Sequence, residues 1–194
     1  DITLSPHSSL TVTIPESEFF DERTSSFIQF NETTLTMEHS LISLSKWEMK
    51  WQKPFLSLLE KQQLTREQTI DYIGCMIIAP VLDKIPFIDA MITPDVISKV
   101  QAYINNPMTA TVIGKNPYQK PGRKKVITSE LIYAWMISYG VPLDMQKWHL
   151  NRLMTLLRVL QVENGGSKKM ANKDSYAQNR ALNEARRTQF HSKG

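Results

Sequence analysis

The residues that most often carry chemistry are few in this chain and widely separated. The histidines are His7, His39, His149 and His191, and Cys75 is the only cysteine. A structural zinc site or a metalloprotease pair needs such ligands within a few residues of each other, and no pair here has that spacing. The sequence therefore predicts no bound metal and no internal disulfide, and it fits a reducing compartment.

Three short motifs resemble enzyme features, and each has a simpler interpretation. The run 165–168, Gly-Gly-Ser-Lys, lacks the full spacing of a phosphate-binding loop and follows a helix instead of a strand, so it indicates a linker. The run 149–152, His-Leu-Asn-Arg, points in successive directions on a helix, and no carboxylate cluster accompanies it. Cys75 lies in an apolar segment without a neighbouring cation, which favours an inert core thiol. We predict a binding or assembly protein without catalytic or cofactor-binding residues.

The net charge of +4 is unevenly distributed along the 194 residues. Residues 1–164 hold 16 basic and 17 acidic side chains, whereas residues 165–194 hold seven basic and two acidic ones. The body thus has no excess of cations from which to form a broad basic face, and a nucleic-acid partner is unlikely except through the tail. No long apolar run predicts a membrane span, and no signal-peptide pattern is present.

A tryptophan-containing stretch, 45–55, marks the change from a β-rich beginning to a helical remainder. Ser45 followed by Glu48 has the spacing of a capping box, which predicts that a helix begins there. Trp47 and Trp51 then lie four residues apart on one helical face. The tryptophans predicted to form the structural core are Trp47, Trp51, Trp135 and Trp148.

The first 40 residues have the pattern of short strands. Leu10, Val12 and Ile14 alternate with threonines up to Pro15, as expected of a half-buried strand. Further extended pieces follow at 19–20, 26–30 and 33–37, with polar turns predicted at 21–22 and 31–32. We expect a small antiparallel meander or hairpin over residues 9–38, which packs on the helical body or pairs with another chain through an exposed edge.

Capping signals predict the helices that follow. Thr65 and Gln68 form a second capping pattern, and the helix they open continues through Ile77 towards Pro80. Thr93 before a proline opens another helix, which runs through residue 104. Thr128 begins the most hydrophobic helix, which we place in the core.

Gly140 is expected to end that hydrophobic helix, and the longest amphipathic stretch begins at Pro142. These two helices should form a helical hairpin that packs on the face of Trp47 and Trp51.

The predicted fold is α+β and mainly α. It consists of a β-rich segment, 1–42, packed on the body; a helical core domain, 43–163; and a linker with a basic, flexible C-terminal tail, 164–194. The tail and the basic loop 114–125 are the predicted partner-binding regions, and the alternative is a solvated connector with a solubilising extension. Their proposed contact residues are Lys120, Arg123, Lys124, Lys125, Lys168, Lys169, Arg180, Arg186 and Arg187.

Several motifs together resemble one protein family. They are Phe19-Phe20-Asp21, Glu38-His39-Ser40-Leu41, Ser43-Leu44-Ser45-Lys46-Trp47-Glu48, Lys53-Pro54-Phe55-Leu56, Thr69-Ile70-Asp71-Tyr72-Ile73, Pro107-Met108-Thr109-Ala110-Thr111, Ile127-Thr128-Ser129-Glu130-Leu131-Ile132-Tyr133, Lys147-Trp148-His149-Leu150-Asn151-Arg152-Leu153, Asn179-Arg180-Ala181-Leu182-Asn183 and Ala185-Arg186-Arg187. In these motifs the chain resembles the tail assembly chaperones of long-tailed, siphovirus-type bacteriophages, the small proteins encoded before the tape-measure protein. The resemblance covers nearly the whole chain.

The resemblance implies a non-catalytic protein of the host bacterial cytoplasm. Such a protein binds the tape-measure protein, recruits tail-tube subunits around it and leaves the finished tail; it needs no cofactor, and homo-oligomer formation is left open. On that basis we expect the body to bind an amphipathic helix and the tail to contact a second protein. Two alternatives remain, a permanent structural component of the phage tail or neck and a nucleic-acid-binding protein that acts through its basic tail.

Overall fold

An antiparallel sheet at the N-terminus is followed by helices, which confirms the predicted α+β class. The computed structural model describes residues 3–4, 9–80, 91–112 and 125–164. The chain divides into two units, Asp1–Thr155 and Leu156–Gly194. The described elements belong to the first unit, except that the last helix, 150–164, continues into the second.

The described strands are β1 (Thr3–Leu4), β2 (Leu10–Ile14), β3 (Ser17–Asp21), β4 (Ser26–Phe30), β5 (Thr33–Met37) and β6 (Ile77–Ala79). The described helices are α1 (Leu41–Trp51), α2 (Phe55–Glu60), α3 (Arg66–Met76), α4 (Pro94–Asn105), α5 (Ser129–Ser138), a 3-10 helix (Leu143–Lys147) and α6 (150–164). One sheet has the order β1-β2-β5-β6, and β3 and β4 form a separate two-stranded sheet.

Strands β2 to β5 form one long hairpin. Ile14 pairs with Thr33 and Ser17 pairs with Phe30, so the register is the same on both sides of a short interruption. Pro15 lies in that interruption, and it has no backbone N–H to donate to the ladder. Of the two predicted arrangements the hairpin is therefore the observed one, and the polar pair at 31–32 lies within the interruption and forms no turn.

The two halves of the hairpin bury different amounts of surface. In the half formed by β2 and β5, alternate residues are buried, namely Leu10, Val12, Ile14, Leu35 and Met37, while threonines occupy the other face. This is the predicted period of two, and β2 packs against α4. In the half formed by β3 and β4, most side chains are exposed.

The prediction that α3 continues through Ile77 is wrong. The helix ends at Met76, and Ile77–Ala79 forms β6, which pairs antiparallel with β5. The backbone N–H of Glu38 donates to the Met76 carbonyl at 2.8 Å, so the chain leaves α3 against the end of β5. Successive β-branched residues suit this sheet position better than another helical turn.

The predicted start of α1 at Ser45 is also wrong. The helix begins at Leu41, and Ser40 is its N-cap, with an extended backbone (φ −121°, ψ 169°) and a side chain that accepts from the Ser43 N–H at 3.3 Å. Trp47 and Trp51 do share one face of α1, where their rings stack with centroids 5.9 Å apart.

The other capping predictions are confirmed. Thr65 and Gln68 form a reciprocal capping box, with hydrogen bonds of 3.1 and 3.2 Å. Thr93 and Thr128 are the N-caps of α4 and α5. Gly140 has the left-handed conformation, with φ of 65°, directly after the end of α5.

The stretch after Pro142 forms two helical pieces, where one was predicted. The 3-10 helix ends at Lys147, and α6 begins at Leu150 after a break. The Leu150 N–H donates to the carbonyl of His39, in the connection between β5 and α1, at 2.7 Å. That long-range hydrogen bond replaces the one that would have continued a helix.

Helix α5 is less buried than its composition predicts. Its buried residues are Ser129, Ile132 and Met136, whereas the side chain of Ile137 is 72% exposed. One side of α5 contacts α1, and most of the remaining apolar residues are half-buried or exposed.

Glu48 connects three helices through one buried carboxylate. Its Oε1 accepts from the N–H of Phe55, the first residue of α2, at 3.1 Å. Its Oε2 accepts from the N–H of Ser129, the first residue of α5, at 2.7 Å. Both donors are helix N-terminal amides, which a negative charge stabilises. Glu48, which was predicted to cap its own helix, thus caps α2 and α5 instead.

We predict that Glu48→Gln lowers the free energy of unfolding by about 1–3 kcal/mol, because one helix N–H then faces the amide NH₂ group instead of an oxygen. Urea unfolding followed by circular dichroism measures the change. Glu67→Gln is the matched control, since this exposed carboxylate lies in the first turn of α3 and should contribute less than about 1 kcal/mol. Equal effects of the two substitutions would contradict the bridging role of Glu48.

Candidate protein-binding surfaces

A groove of about 690 Å³ lies between α2, α3 and α4. Its buried floor includes Phe55, Tyr72, Ile73 and Val100. The Phe55 and Tyr72 rings stack with centroids 3.8 Å apart, so α2 and α3 are held together at the base of the groove. The half-buried lining residues are Leu56, Leu59, Leu64, Thr69 and Ile97, and the polar lining residues are Glu60, Gln62, Gln101 and Asn105.

This groove has the chemistry of a protein-binding site. Aliphatic and aromatic side chains form most of its surface, and polar side chains lie among them. Grooves of this kind bind amphipathic helices, whose apolar residues recur at positions i, i+3 or i+4, and i+7. The capping box at Thr65 fixes the start of α3, and the proline after Thr93 fixes the start of α4. Two walls of the groove are thus positioned by local sequence.

The end of the hairpin presents a second surface. Phe20 and Phe27 are 45% and 66% exposed, and their ring centroids lie 5.0 Å apart. Asp21 orders the turn at the tip, where its carboxylate accepts from the Arg23 N–H at 3.0 Å and from the Thr24 hydroxyl at 2.9 Å. The Thr24 hydrogen bond is the largest of the effects that lower the pKa of Asp21.

A pocket of about 560 Å³, whose lining includes several charged side chains, lies beside Trp51. Lys50 and Asp71 form an ion pair in it, and the Trp51 Nε1–H donates to the other Asp71 oxygen at 2.8 Å. The hydrogen bond to Asp71 is the main cause of the raised pKa of Lys50. The Asp71 carboxylate is thus engaged through both of its oxygens, and this arrangement positions Trp51.

Two histidines and two tyrosines form a buried polar cluster. His39 Nδ1 lies 2.6 Å from the Tyr72 hydroxyl, and the His39 and His149 ring centroids are 5.1 Å apart. His149 Nε2–H donates to the Tyr103 carbonyl at 3.1 Å, and its Nδ1 accepts from the Asn151 N–H at 3.3 Å. These contacts fit a neutral His149 and connect α3, α4 and the start of α6 to His39, which lies between β5 and α1.

Burial determines the protonation of this cluster. It lowers the pKa of His39 to about 3, with a smaller contribution from His149, and it also lowers the pKa of His149. Burial raises the pKa of Tyr103 to about 12 and that of Tyr72 well above its usual value. All four side chains are therefore neutral near pH 7, as a structural cluster requires.

Cys75 is half-buried, although the sequence placed it in the core. Desolvation is the main reason why its pKa rises to about 11. The thiol is therefore protonated near pH 7, which agrees with the absence of a nucleophilic role in the prediction.

Of the predicted partner-binding residues, only Lys125 lies among the described ones, and it is exposed before α5. Lys120, Arg123, Lys124, Lys168, Lys169, Arg180, Arg186 and Arg187 lie outside the described residues. The structure therefore leaves their role as a prediction.

Fewer of the four tryptophans lie in the core than predicted. Trp47 is fully buried, and its Nε1–H donates to the Gln68 carbonyl at 3.0 Å. Trp51, Trp135 and Trp148 are half-buried. The Arg152 guanidinium lies 4.2 Å from the Trp148 ring centroid, so this indole is covered by a charged side chain. Of the four tryptophans, only Trp47 is fully buried, because the other three indoles lie partly at the surface.

Sequence reasoning missed the groove and the exposed phenylalanine pair. Leucines at 56, 58 and 59 indicated an apolar surface, but the opposite wall comes from α4, some 40 residues later. The signal for the hairpin surface was the replacement of alternating threonines by phenylalanines and acidic residues after Pro15.

The chain was compared with protein-family models, curated proteins and solved structures, and none of them matches it. In residues 3–4, 9–80, 91–112 and 125–164, no group of histidine, cysteine and acidic side chains has the arrangement of a metal site. No helix within these ranges is both long enough and apolar enough to cross a membrane.

The histidine cluster predicts a loss of stability in mild acid. A histidine whose folded pKa lies below its unfolded value of about 6.5 makes the unfolded chain bind more protons, so stability is complete above that pH and falls below it. For His39 the loss should approach about 1.4 kcal/mol per pH unit and continue towards its folded pKa of about 3. His39→Asn should therefore be less stable at pH 7 but should have a shallower pH dependence between about pH 6 and 4.5.

Urea midpoints measured across that range test this prediction. Tyr72→Phe is the control, because it removes the hydroxyl partner but leaves the imidazole buried; it should lower stability and keep the steep dependence. The same slope for wild type and His39→Asn would show that His39 is not responsible.

Proposed function

We propose that the protein is a non-catalytic bacteriophage tail assembly chaperone. It binds an amphipathic segment of the tape-measure protein in the host bacterial cytoplasm and recruits tail-tube subunits around it. The motifs described above support the family, and the groove between α2, α3 and α4 is the observation that supports binding of a helix.

The groove supports this proposal through its size and its lining. A volume of about 690 Å³ accommodates several aliphatic side chains from one face of a helix. Its half-exposed leucines and isoleucine lose water when such a face is bound, and burial of one leucine side chain contributes about 1.5–3 kcal/mol. A long helical segment that aggregates when it is alone would be protected by this type of contact.

A chaperone of this kind also needs a surface for a second partner. The end of the hairpin belongs to β3 and β4, and it shares no residue with the groove. The chain therefore has two surfaces of different composition, one formed mainly by aliphatic side chains and the other by phenylalanines among acidic residues. This arrangement supports an adaptor role.

We predict that Leu59→Asp lowers the affinity for the tape-measure protein about 10- to 100-fold, because it removes apolar surface and places a charge in the groove. Co-purification and titration with the tape-measure protein encoded beside it would measure the loss. Ile137→Asp is the matched control, since Ile137 is 72% exposed on α5 and does not line the groove. Circular dichroism would establish that both variants are folded.

Equal binding by wild type and Leu59→Asp would exclude the groove as the site, and no binding by wild type would contradict the proposed function. Mass spectrometry of purified phage particles distinguishes the main alternative. A chaperone leaves the finished tail, so its presence in stoichiometric amounts would identify a structural component instead.

A further inference from the structure

The end of the hairpin, residues 15–33, combines negative charge with exposed aromatic rings. It contains five acidic residues, Glu16, Glu18, Asp21, Glu22 and Glu32, and one basic residue, Arg23, which gives a net charge of −4. The acidic residues other than Asp21 are exposed. This concentration of charge contrasts with residues 1–164 as a whole, where basic and acidic residues nearly balance.

The aromatic part of this surface is preformed. Phe20 and Phe27 are cross-strand partners, and Glu18 pairs with Gln29 one step further along the same face. The two rings lie 5.0 Å apart at a tilt of 59°, an arrangement typical of interacting aromatic pairs. Phe27 is 66% exposed. Rings held in this position can be covered by another chain without reorganisation of the hairpin.

The hairpin end of another copy is an unfavourable partner for this surface. Each end has a net charge of −4, so two of them placed face to face repel each other. The occupant must therefore carry positive charge, and it needs apolar side chains to cover the phenylalanine pair.

The chain itself contains a segment of this composition. Residues 165–194 hold seven basic and two acidic side chains, which gives a net charge of +5, and they include Tyr176, Leu182 and Phe190. The charge of this segment is opposite to that of the hairpin end and nearly equal in size.

We propose that the hairpin end binds the basic segment 165–194 of a second copy of this chain. The contact is heterologous, since one copy contributes the hairpin and the other contributes the C-terminal segment. Reciprocal exchange between two copies closes a dimer, and non-reciprocal contacts grow into a ring or a chain. This inference uses the hairpin end that was offered above as a second-partner surface, so the two occupants compete for it, whereas helix binding in the groove is independent of it.

A charge exchange tests the proposal with full-length protein. One variant carries Glu18→Lys and Glu22→Lys at exposed positions of the hairpin end, and the other carries Arg186→Glu and Arg187→Glu. Sedimentation velocity should show that the wild type associates more at high protein concentration and less at high salt. Each variant alone should associate at least about tenfold more weakly, because two attractive pairs become repulsive. Mixing the two variants should restore association, since, at the exchanged positions, each hairpin end then faces a segment of opposite charge on the other variant.

Two controls separate this contact from a general effect of charge or exposed apolar surface. Glu67→Lys with Asp144→Lys makes the same change of charge at exposed positions outside the hairpin and should associate like the wild type. Phe27→Ser should weaken association, whereas Ile137→Ser, at a side chain that is 72% exposed on α5, should not.

Isotope labelling identifies the copy that contributes the segment. Equal amounts of ¹⁴N- and ¹⁵N-labelled protein are mixed and joined with a carbodiimide, which links carboxylates directly to lysines. Mixed-isotope links between the hairpin end and Lys168 or Lys169 are the expected result. Links within single copies only, a wild type that stays monomeric at every concentration, or association unchanged by both charge reversals would each overturn the proposal.

Discussion

The arrangement of the helices depends on one buried carboxylate. Glu48 lies near the end of α1, yet it accepts hydrogen bonds from the first amides of α2 and α5, the second of them 81 residues away in sequence. A helix N-terminus that is buried without an acceptor costs free energy, and one anion here satisfies two of them. Because Phe55 forms part of the groove floor, the same carboxylate that fixes α5 also fixes one wall of the groove. The stability of the body and the shape of the groove are therefore coupled.

The histidine and tyrosine cluster fixes the remaining wall by a different principle. Its groups are neutral, and their hydrogen bonds connect His39, which lies between β5 and α1, to α3 and α4, and His149, which precedes α6, to α4. Tyr72 belongs to both systems, since its ring stacks on Phe55 and its hydroxyl bonds His39. The groove thus lies where two buried polar networks meet: their hydrogen bonds hold its floor, whereas its rim consists of half-buried leucines.

Local signals in the sequence predicted the features that depend on local physics. The caps at Thr65, Thr93 and Thr128 are confirmed because a capping hydrogen bond spans only three residues. The start of α1 was wrong because Ser45 and Glu48 have the same spacing as a cap, while the true partners of Glu48 lie beyond the helix. Strand β6 and the break before α6 were missed for the same reason, since each is fixed by a backbone hydrogen bond to a distant residue. The groove needs α2, α3 and α4 together, and no single segment encodes it.

The two halves of the hairpin share one register, but one half is covered by the core and the other is largely exposed. Near the body, the inward residues of β2 and β5 are covered by the core, and threonines face outward. Beyond Pro15 the ladder resumes as a two-stranded ribbon, and such a ribbon with exposed phenylalanines is prone to pair with its own kind. The acidic residues around the rings oppose that pairing through repulsion, but they leave attraction to cations intact. Salt consequently has two opposite effects on this ribbon: it weakens binding of a basic segment, and it also weakens the repulsion that keeps identical ribbons apart. A contact held by opposite charges dominates at low ionic strength, and apolar contact between ribbons becomes competitive only when those charges are screened.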